Sequence, residues 1–393
     1  MLLTIALILL LGMLTSWCCQ RLKLPGLLGM LLTGILLGPY VLDLIDPSIL
    51  NISADIRKIA LIIILTRAGL SLDLDKLKEL GRPALMMCFV PASFEILGML
   101  ILAPRLLGVT LLEAAIMGSV LAAVSPAVVV PRMVRLMEEG YGTREGIPQL
   151  ILAGASVDDV YVIVLFTTFT GIAQGGRVSL LSFINIPVSV ILGIAIGIAA
   201  GFALARFFAV FHMRDTVKVL IMLSLSLLLV SAENAMTTAI TFSSLIAVMF
   251  MGVGLGMRRE VVSRRLSQKF NKLWVCAEIL LFVLVGATVN IGYLAGVGPA
   301  ALLLILLALI FRMAGVLVCL LGTGFNRKER IFTMLAYTPK ATVQAAIGGM
   351  PLAMGLACGN IVLTVAVLAI VLTAPLGAFA IDLTYRKCLN KTT

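Results

Sequence analysis

Apolar positions in this chain neither alternate nor keep to one helical face. They run together in blocks separated by short polar stretches. The blocks fall at 2–20, 24–42, 52–72, 84–107, 110–137, 147–174, 180–209, 215–232, 235–255, 270–291, 296–322, 331–353 and 356–383. Each provides roughly the 20 residues that a helix needs to cross the hydrocarbon of a bilayer. Helices that are apolar all round belong in lipid, where only structures that satisfy their own backbone can span, so the pattern predicts an all-α polytopic membrane protein with thirteen transmembrane helices. No stretch of soluble-domain size is left over, and residues 1–393 read as one integral membrane unit. The first block has neither a basic leader nor a small-residue cleavage pattern, so it reads as a retained span.

Composition agrees with this picture: 61% of residues are hydrophobic and 12% charged, against about 45–50% and about 25% in soluble domains. Mean hydropathy is +1.15. The net charge of +11 would suggest nucleic acid in a soluble protein. In a membrane protein it has to be placed side by side. Of the 30 Lys and Arg, 23 fall in connections after odd-numbered blocks or in the C-terminal tail, while Arg57, Lys58, Arg105 and Arg177 fall opposite. The positive-inside tendency then predicts an outside N-terminus and a cytoplasmic C-terminus, in a plasma or inner cell membrane. A missed or invented span would scramble that asymmetry. The run 257-MRREVVSRRLSQKFNK-272, between blocks nine and ten, suits anionic lipid headgroups.

Three basic residues remain inside blocks: Arg67, Arg312 and Lys340. Buried charge costs roughly 2.5–3.5 kcal/mol at the bilayer centre on insertion scales, so it persists where it is paired or lines a wet path. Near the middle of their blocks lie Glu95, Asp158, Asp159, Arg312 and Lys340, with Glu278 early in block ten. Asp158 and Asp159 are adjacent in 156-SVDDV-160 and therefore point about 100° apart around a helix, so they need not share a partner. One can be held by Arg312, a permanent cation, while the other faces a cavity and changes state. A carboxylate that holds either a proton or a small cation couples the two fluxes. If the pair only glued helices together through Arg312 and Lys340, Asp-Asp adjacency would be a wasteful way to place one salt bridge in lipid.

Blocks five and twelve carry a second signal. They read 119-SVLAAVSPAVVVPRM-133 and 333-TMLAYTPKATVQAAIGG-349, with Ser125-Pro126 and Thr338-Pro339 halfway through. Proline removes a helix hydrogen bond and clashes with the preceding turn, which predicts a break at each site. The two blocks lie seven apart, so a copy displaced by seven has the opposite orientation. Residues 1–179 and 215–393 then form two inverted six-helix repeats joined by a linking helix at 180–214. Paired broken helices in inverted halves point to a transporter's ion site. Ser125, Ser156 and Thr338 offer hydroxyl oxygens to a dehydrated cation, and Lys340 can neutralise a half-helix end, pair with Glu95 or, as the only lysine near the middle of a block, act as a second titrating group. The seven cysteines and His212, the one histidine, lack ligand spacing. The lack of a P-loop, a dinucleotide fingerprint, CxxC or HExxH argues against an ATP-driven pump, a reductase and a metalloprotease, and neither nucleotide nor resident cofactor is expected.

The pieces 67-RAGLSLD-73, 125-SPAVVVP-131, 153-AGASVDDV-160, 311-FRMAG-315 and 338-TPKATVQAA-346 resemble, in order, the monovalent cation/proton antiporters, within them the sodium/proton antiporters of the NHA type related to NapA and NhaA. The resemblance implies two crossing broken helices, a homodimer and an elevator-like movement of a core domain. It implies Asp159 as the carboxylate that binds Na+ or Li+, Asp158 as the partner of Arg312, and Glu95 with Lys340 as a further ion pair. Arg67 corresponds in position only, and Glu278 either lines the approach to the site or ties block ten to the core. Asp-Asp followed by Arg312 leaves electroneutral and electrogenic exchange both open. The leading expectation is a secondary antiporter and not an enzyme, the alternatives being a K+/H+ antiporter, a sodium-coupled carrier of an organic anion, a cation channel or a membrane scaffold.

Overall fold

The structure, a computed structural model, describes residues 1–72, 81–175, 180–236 and 242–391. Asp73, Lys76, Lys78 and Arg177, which entered the motif and charge patterns, lie outside the described residues. Among those described, all regular structure is helical, with one isolated β-bridge between Tyr141 and Lys391. Nine helices there are long and apolar enough to cross a bilayer; Gly26–Leu37 and Ser244–Arg258 are apolar but shorter.

Three of the predicted blocks are interrupted. Residues 84–107 divide into Gly81–Met87 and Val90–Leu107, with Pro91 in the first turn of the second helix. Block five divides into Leu111–Leu121 and Pro126–Glu138, and block twelve into Arg327–Ala336, Thr342–Ile347 and Met350–Ala353. Proline sits easily in a first helical turn because its missing N–H has no intrahelical partner there, so Pro91, Pro126 and Pro351 each mark a restart, while Pro339 lies between two helices. The basic run at 257–272 is not a connecting loop. Its first two residues end Ser244–Arg258 and, after Arg259, the rest forms the first turns of Glu260–Ala287, helped by Glu260 in the first turn and an i,i+4 ion pair between Glu260 and Arg264. This early start also places Glu278 beyond the middle of its helix rather than in the first half.

By their contacts the residues form two compact units: Met1–Ala54, Leu74–Phe169 and Phe282–Thr393, and separately Asp55–Asp73 and Thr170–Leu281. This partition follows packing, whereas the halves expected from sequence follow symmetry. In the first unit Gly34 lets its helix approach the backbone at Val283, and Gly38 lies close to Ala287. A Cβ at Gly34 would collide with the Val283 carbonyl, a neighbour that cannot rotate away. Gly34→Val is therefore expected to lower the yield of monodisperse protein in size-exclusion chromatography, as overpacking costs about 1–3 kcal/mol or more. The buried cluster that includes Val124, Ala155, Val316, Phe332 and Tyr337 packs around both helix breaks. Cys88, Cys319 and Cys358 are buried as small packers, but Cys18 and Cys276 are exposed.

In the second unit small residues again set the spacing. Gly69 packs on the backbone at Met249, and Gly201 lies 2.7 Å, measured from an added Cβ, from the Leu255 nitrogen. The Ser263 hydroxyl donates to the Leu70 carbonyl at 2.7 Å. Arg67 and Glu278 belong to this unit and lie near enough for each charge to act on the other.

Candidate functional site

Two helices of the first unit open with the same device. Thr110 with Glu113, and Asn326 with Glu329, form capping boxes in which side chain and backbone satisfy each other reciprocally. Each helix then stops ahead of a proline, after Leu121 and after Ala336. A residue before proline is driven out of the helical region, and Ser125 is extended at φ −86°, ψ 111°. The two non-helical stretches meet: the Ser125 N–H donates to the Pro339 carbonyl at 2.8 Å.

Backbone groups released by these breaks need partners, because bilayer hydrocarbon offers none. Arg312 serves both breaks. Its Nε donates to the Tyr337 carbonyl at 2.6 Å and its Nη1 donates to the Ala122 carbonyl. Gln344 Nε2 donates to the carbonyls of Leu121 and Ala123 at 3.1 and 2.9 Å. The Val124 N–H donates to Asp158 Oδ2 at 2.9 Å, and the Lys340 N–H donates to Thr373 Oγ1 at 2.9 Å. The Tyr337 hydroxyl donates to the Met87 carbonyl at 3.0 Å, fixing the end of the second half-helix.

The charged side chains lie in the same place. Arg312 Nη2 meets Asp158 Oδ2 at 2.8 Å and Nη1 meets Glu95 Oε2 at 2.9 Å. Lys340 Nζ meets the same Glu95 oxygen at 2.6 Å. Arg312 and Asp158 are fully buried, and Glu95 and Lys340 are each 1% exposed. The result is one connected cluster rather than two separate pairs. Asp159 is 8% exposed, and its Oδ1 has no hydrogen-bond partner. Three carboxylates thus accompany two cations, and one negative charge is left without a partner of its own.

Other oxygens are unengaged too: Ser125 Oγ, Thr342 Oγ1, Gln344 Oε1 and Asp158 Oδ1 are buried without hydrogen bonds. Thr338 spends its hydroxyl proton on the Leu335 carbonyl at 2.8 Å but keeps its lone pairs. Among the described residues no group of three or more His, Cys, Asp or Glu is placed to hold a metal ion. A small hard cation here would draw on hydroxyl, amide and carbonyl oxygens around a single carboxylate.

The structure brings together Asp158, Arg312, Glu95 and Lys340, with Asp159 next in the chain, Ser125 and Pro126 at one break, and Thr338 and Pro339 at the other. The Ser156 side chain lies outside the described residues. Glu278 is not part of the cluster; it belongs to the second unit. Gln344, Thr342 and Thr373 were missed in the sequence, where the one available signal was a glutamine inside an apolar block. Gln344→Met keeps the volume but removes both donors. It should lower the unfolding temperature by an amount equivalent to about 1–3 kcal/mol, the cost of orphaned buried carbonyls, as read by thermal-shift measurement.

Residues 5–386 match the family described as sodium/hydrogen exchanger, transmembrane. The chain is 37% identical to sodium/hydrogen exchanger 9B2 of Xenopus tropicalis over 93% of this chain and 70% of that protein. It is 33% identical to human sodium/hydrogen exchanger 9B1, over 94% of this chain and 73% of that one. Its fold is similar to that of the sodium proton antiporter MjNhaP1 from Methanocaldococcus jannaschii, with a TM-score of 0.85, 20% identity, and 98% and 97% of the two chains covered.

Proposed function

The chain belongs to the sodium/hydrogen exchanger family of multi-pass membrane cation/proton antiporters, and from that premise we propose that it exchanges Na+ or Li+ for H+ at Asp159. The observation that carries this reading is the unpaired charge in the buried cluster. Two cations and three carboxylates leave a deficit that one proton or one monovalent cation fills, and holding both at once would overfill it. Competition for that place couples the two fluxes.

Asp158 is poorly suited to the task. Its Oδ1 is unbonded, but its Oδ2 accepts from Arg312 and from the Val124 N–H, so its charge is already matched and neutralising it would loosen the first helix break. Asp159 has an oxygen that no protein group occupies, beside breaks whose carbonyls and hydroxyls can replace water around a cation. Arg312 keeps its proton and Lys340 is engaged by Glu95, which supports a ratio of one cation for one proton. The wider arrangement is thirteen spans in two inverted repeats, working as a homodimer in a cell membrane with the C-terminus in the cytoplasm. Access to Asp159 alternates between the two faces, and no covalent chemistry is catalysed.

Proteoliposomes holding a proton gradient test this directly. Added Na+ or Li+ should collapse the gradient and K+ should not, with the same rate whether or not the membrane potential is clamped. Collapse by K+ alone would reassign the cargo, dependence on voltage would overturn the one-for-one ratio, and indifference to all three cations would end the antiport reading.

A further inference from the structure

Well away in sequence from the aspartates, a cavity of about 480 Å3 opens between the start of Arg327–Ala336 and the end of Gly359–Cys388. Four of its lining side chains are cationic, Arg327, Lys328, Arg386 and Lys387, and none is acidic. From this we propose that the cavity is a binding site for a phosphate group, either free in solution or carried on a lipid headgroup.

The walls are built before any ligand arrives. Leu389 is buried, the Asn390 carbonyl accepts from the Gly142 N–H at 2.8 Å, and Lys391 bridges to Tyr141. Asn390 Nδ2 also donates to Glu329 Oε1 at 3.3 Å, which fastens the last described residues to the opening turn of the helix across the cavity. Flexible tails gather anions weakly because they must be ordered to do so; a fixed rim avoids that cost.

Three acids near the cavity are already engaged. Glu329 closes its capping box and accepts from Asn390. Asp382 pairs with Arg132, and Glu139 with Arg135. Arg327, Lys328 and Lys387 make no ion pair among the described residues. Arg386 is steadied by Tyr385, whose hydroxyl accepts from its Nε at 2.9 Å, leaving the guanidinium ends to face a ligand. A single carboxylate would leave most of these charges unmatched, whereas a phosphate monoester or diphosphate carries about two negative charges or more and fits the arginine fork. The positive end of Arg327–Ala336 adds to the attraction. A ligand held there joins the first half of the second broken helix to the chain's final helix.

Binding is read without any transport assay, so its outcome is independent of the exchange proposed above. The full chain in phosphatidylcholine nanodiscs, in about 150 mM KCl, is titrated with pyrophosphate by calorimetry, and in parallel its unfolding temperature is measured in nanodiscs with and without phosphatidylinositol 4-phosphate. Saturable binding at one site per chain, or a lipid-dependent rise in unfolding temperature, is expected. Either should weaken about tenfold or more in Lys328→Gln/Lys387→Gln, an exposed pair whose loss spares the fold, and stay unchanged in Arg264→Gln/Lys272→Gln, which removes as much charge elsewhere. A response to pyrophosphate alone identifies a soluble ligand, and one to the lipid alone a headgroup. No response in either arm, or an equal loss in both double variants, would overturn the site in favour of unspecific attraction to a basic surface.

Discussion

Reconstituted Asp159→Asn protein is expected to show no cation-driven proton flux above that of empty liposomes, while unfolding close to the wild-type temperature. Asparagine matches aspartate in size, and Asp159 Oδ1 has no hydrogen bond to lose. What disappears is the one charge the cluster leaves without a partner. Without it, a cation entering the site would meet two cations matched by two carboxylates and gain nothing for its lost water. Losing the charged oxygen that holds the cation should cut the flux by about 100-fold or more, equivalent to roughly 3 kcal/mol of cation binding. Asp158→Asn should behave differently, impairing stability along with transport, because Asp158 holds both Arg312 and the backbone at Val124. Undiminished exchange in Asp159→Asn would remove this residue from the pathway.

Arg312→Ala should be the most destabilising single change in the cluster, by roughly 3–5 kcal/mol in a thermal unfolding series run at one scan rate. It strips Asp158 of its counter-charge and leaves the Tyr337 and Ala122 carbonyls without a donor. Arg312→Lys should fall between, since one ammonium cannot point toward two helix breaks and two carboxylates at once. Adding Asp158→Asn to Arg312→Ala should recover part of the loss, because the charge left behind is then gone too. An alanine variant as stable as wild type would mean that the two breaks are held by something other than this guanidinium.

The charged members of this cluster were legible because lipid makes them conspicuous. Asp158, Asp159, Glu95, Arg312 and Lys340 stand out against apolar neighbours, and the Ser-Pro and Thr-Pro pairs announce broken helices by the local geometry of proline. Gln344 and Thr373 could not be found that way: Gln344 serves carbonyls at Leu121 and Ala123, 223 and 221 residues away, Thr373 accepts from the Lys340 N–H 33 residues away, and no spacing rule links a side chain to such backbone groups. For the same reason the sequence suggested separate ion pairs where Glu95 in fact receives both Arg312 and Lys340. Helix ends were misread where charged residues continue a helix, as at Glu260–Ala287, since hydropathy records what suits lipid and not what stays helical.

The bond from the Ser125 N–H to the Pro339 carbonyl, with Arg312 spanning both stretches, makes the two interruptions mutually dependent. Straightening one, for instance by a permissive residue at Pro126, would strand acceptors on the other. Among descendants of this chain, substitutions in the two segments should therefore be inherited as matched sets, and a chimera taking one segment from a distant relative should fold worse than one taking both.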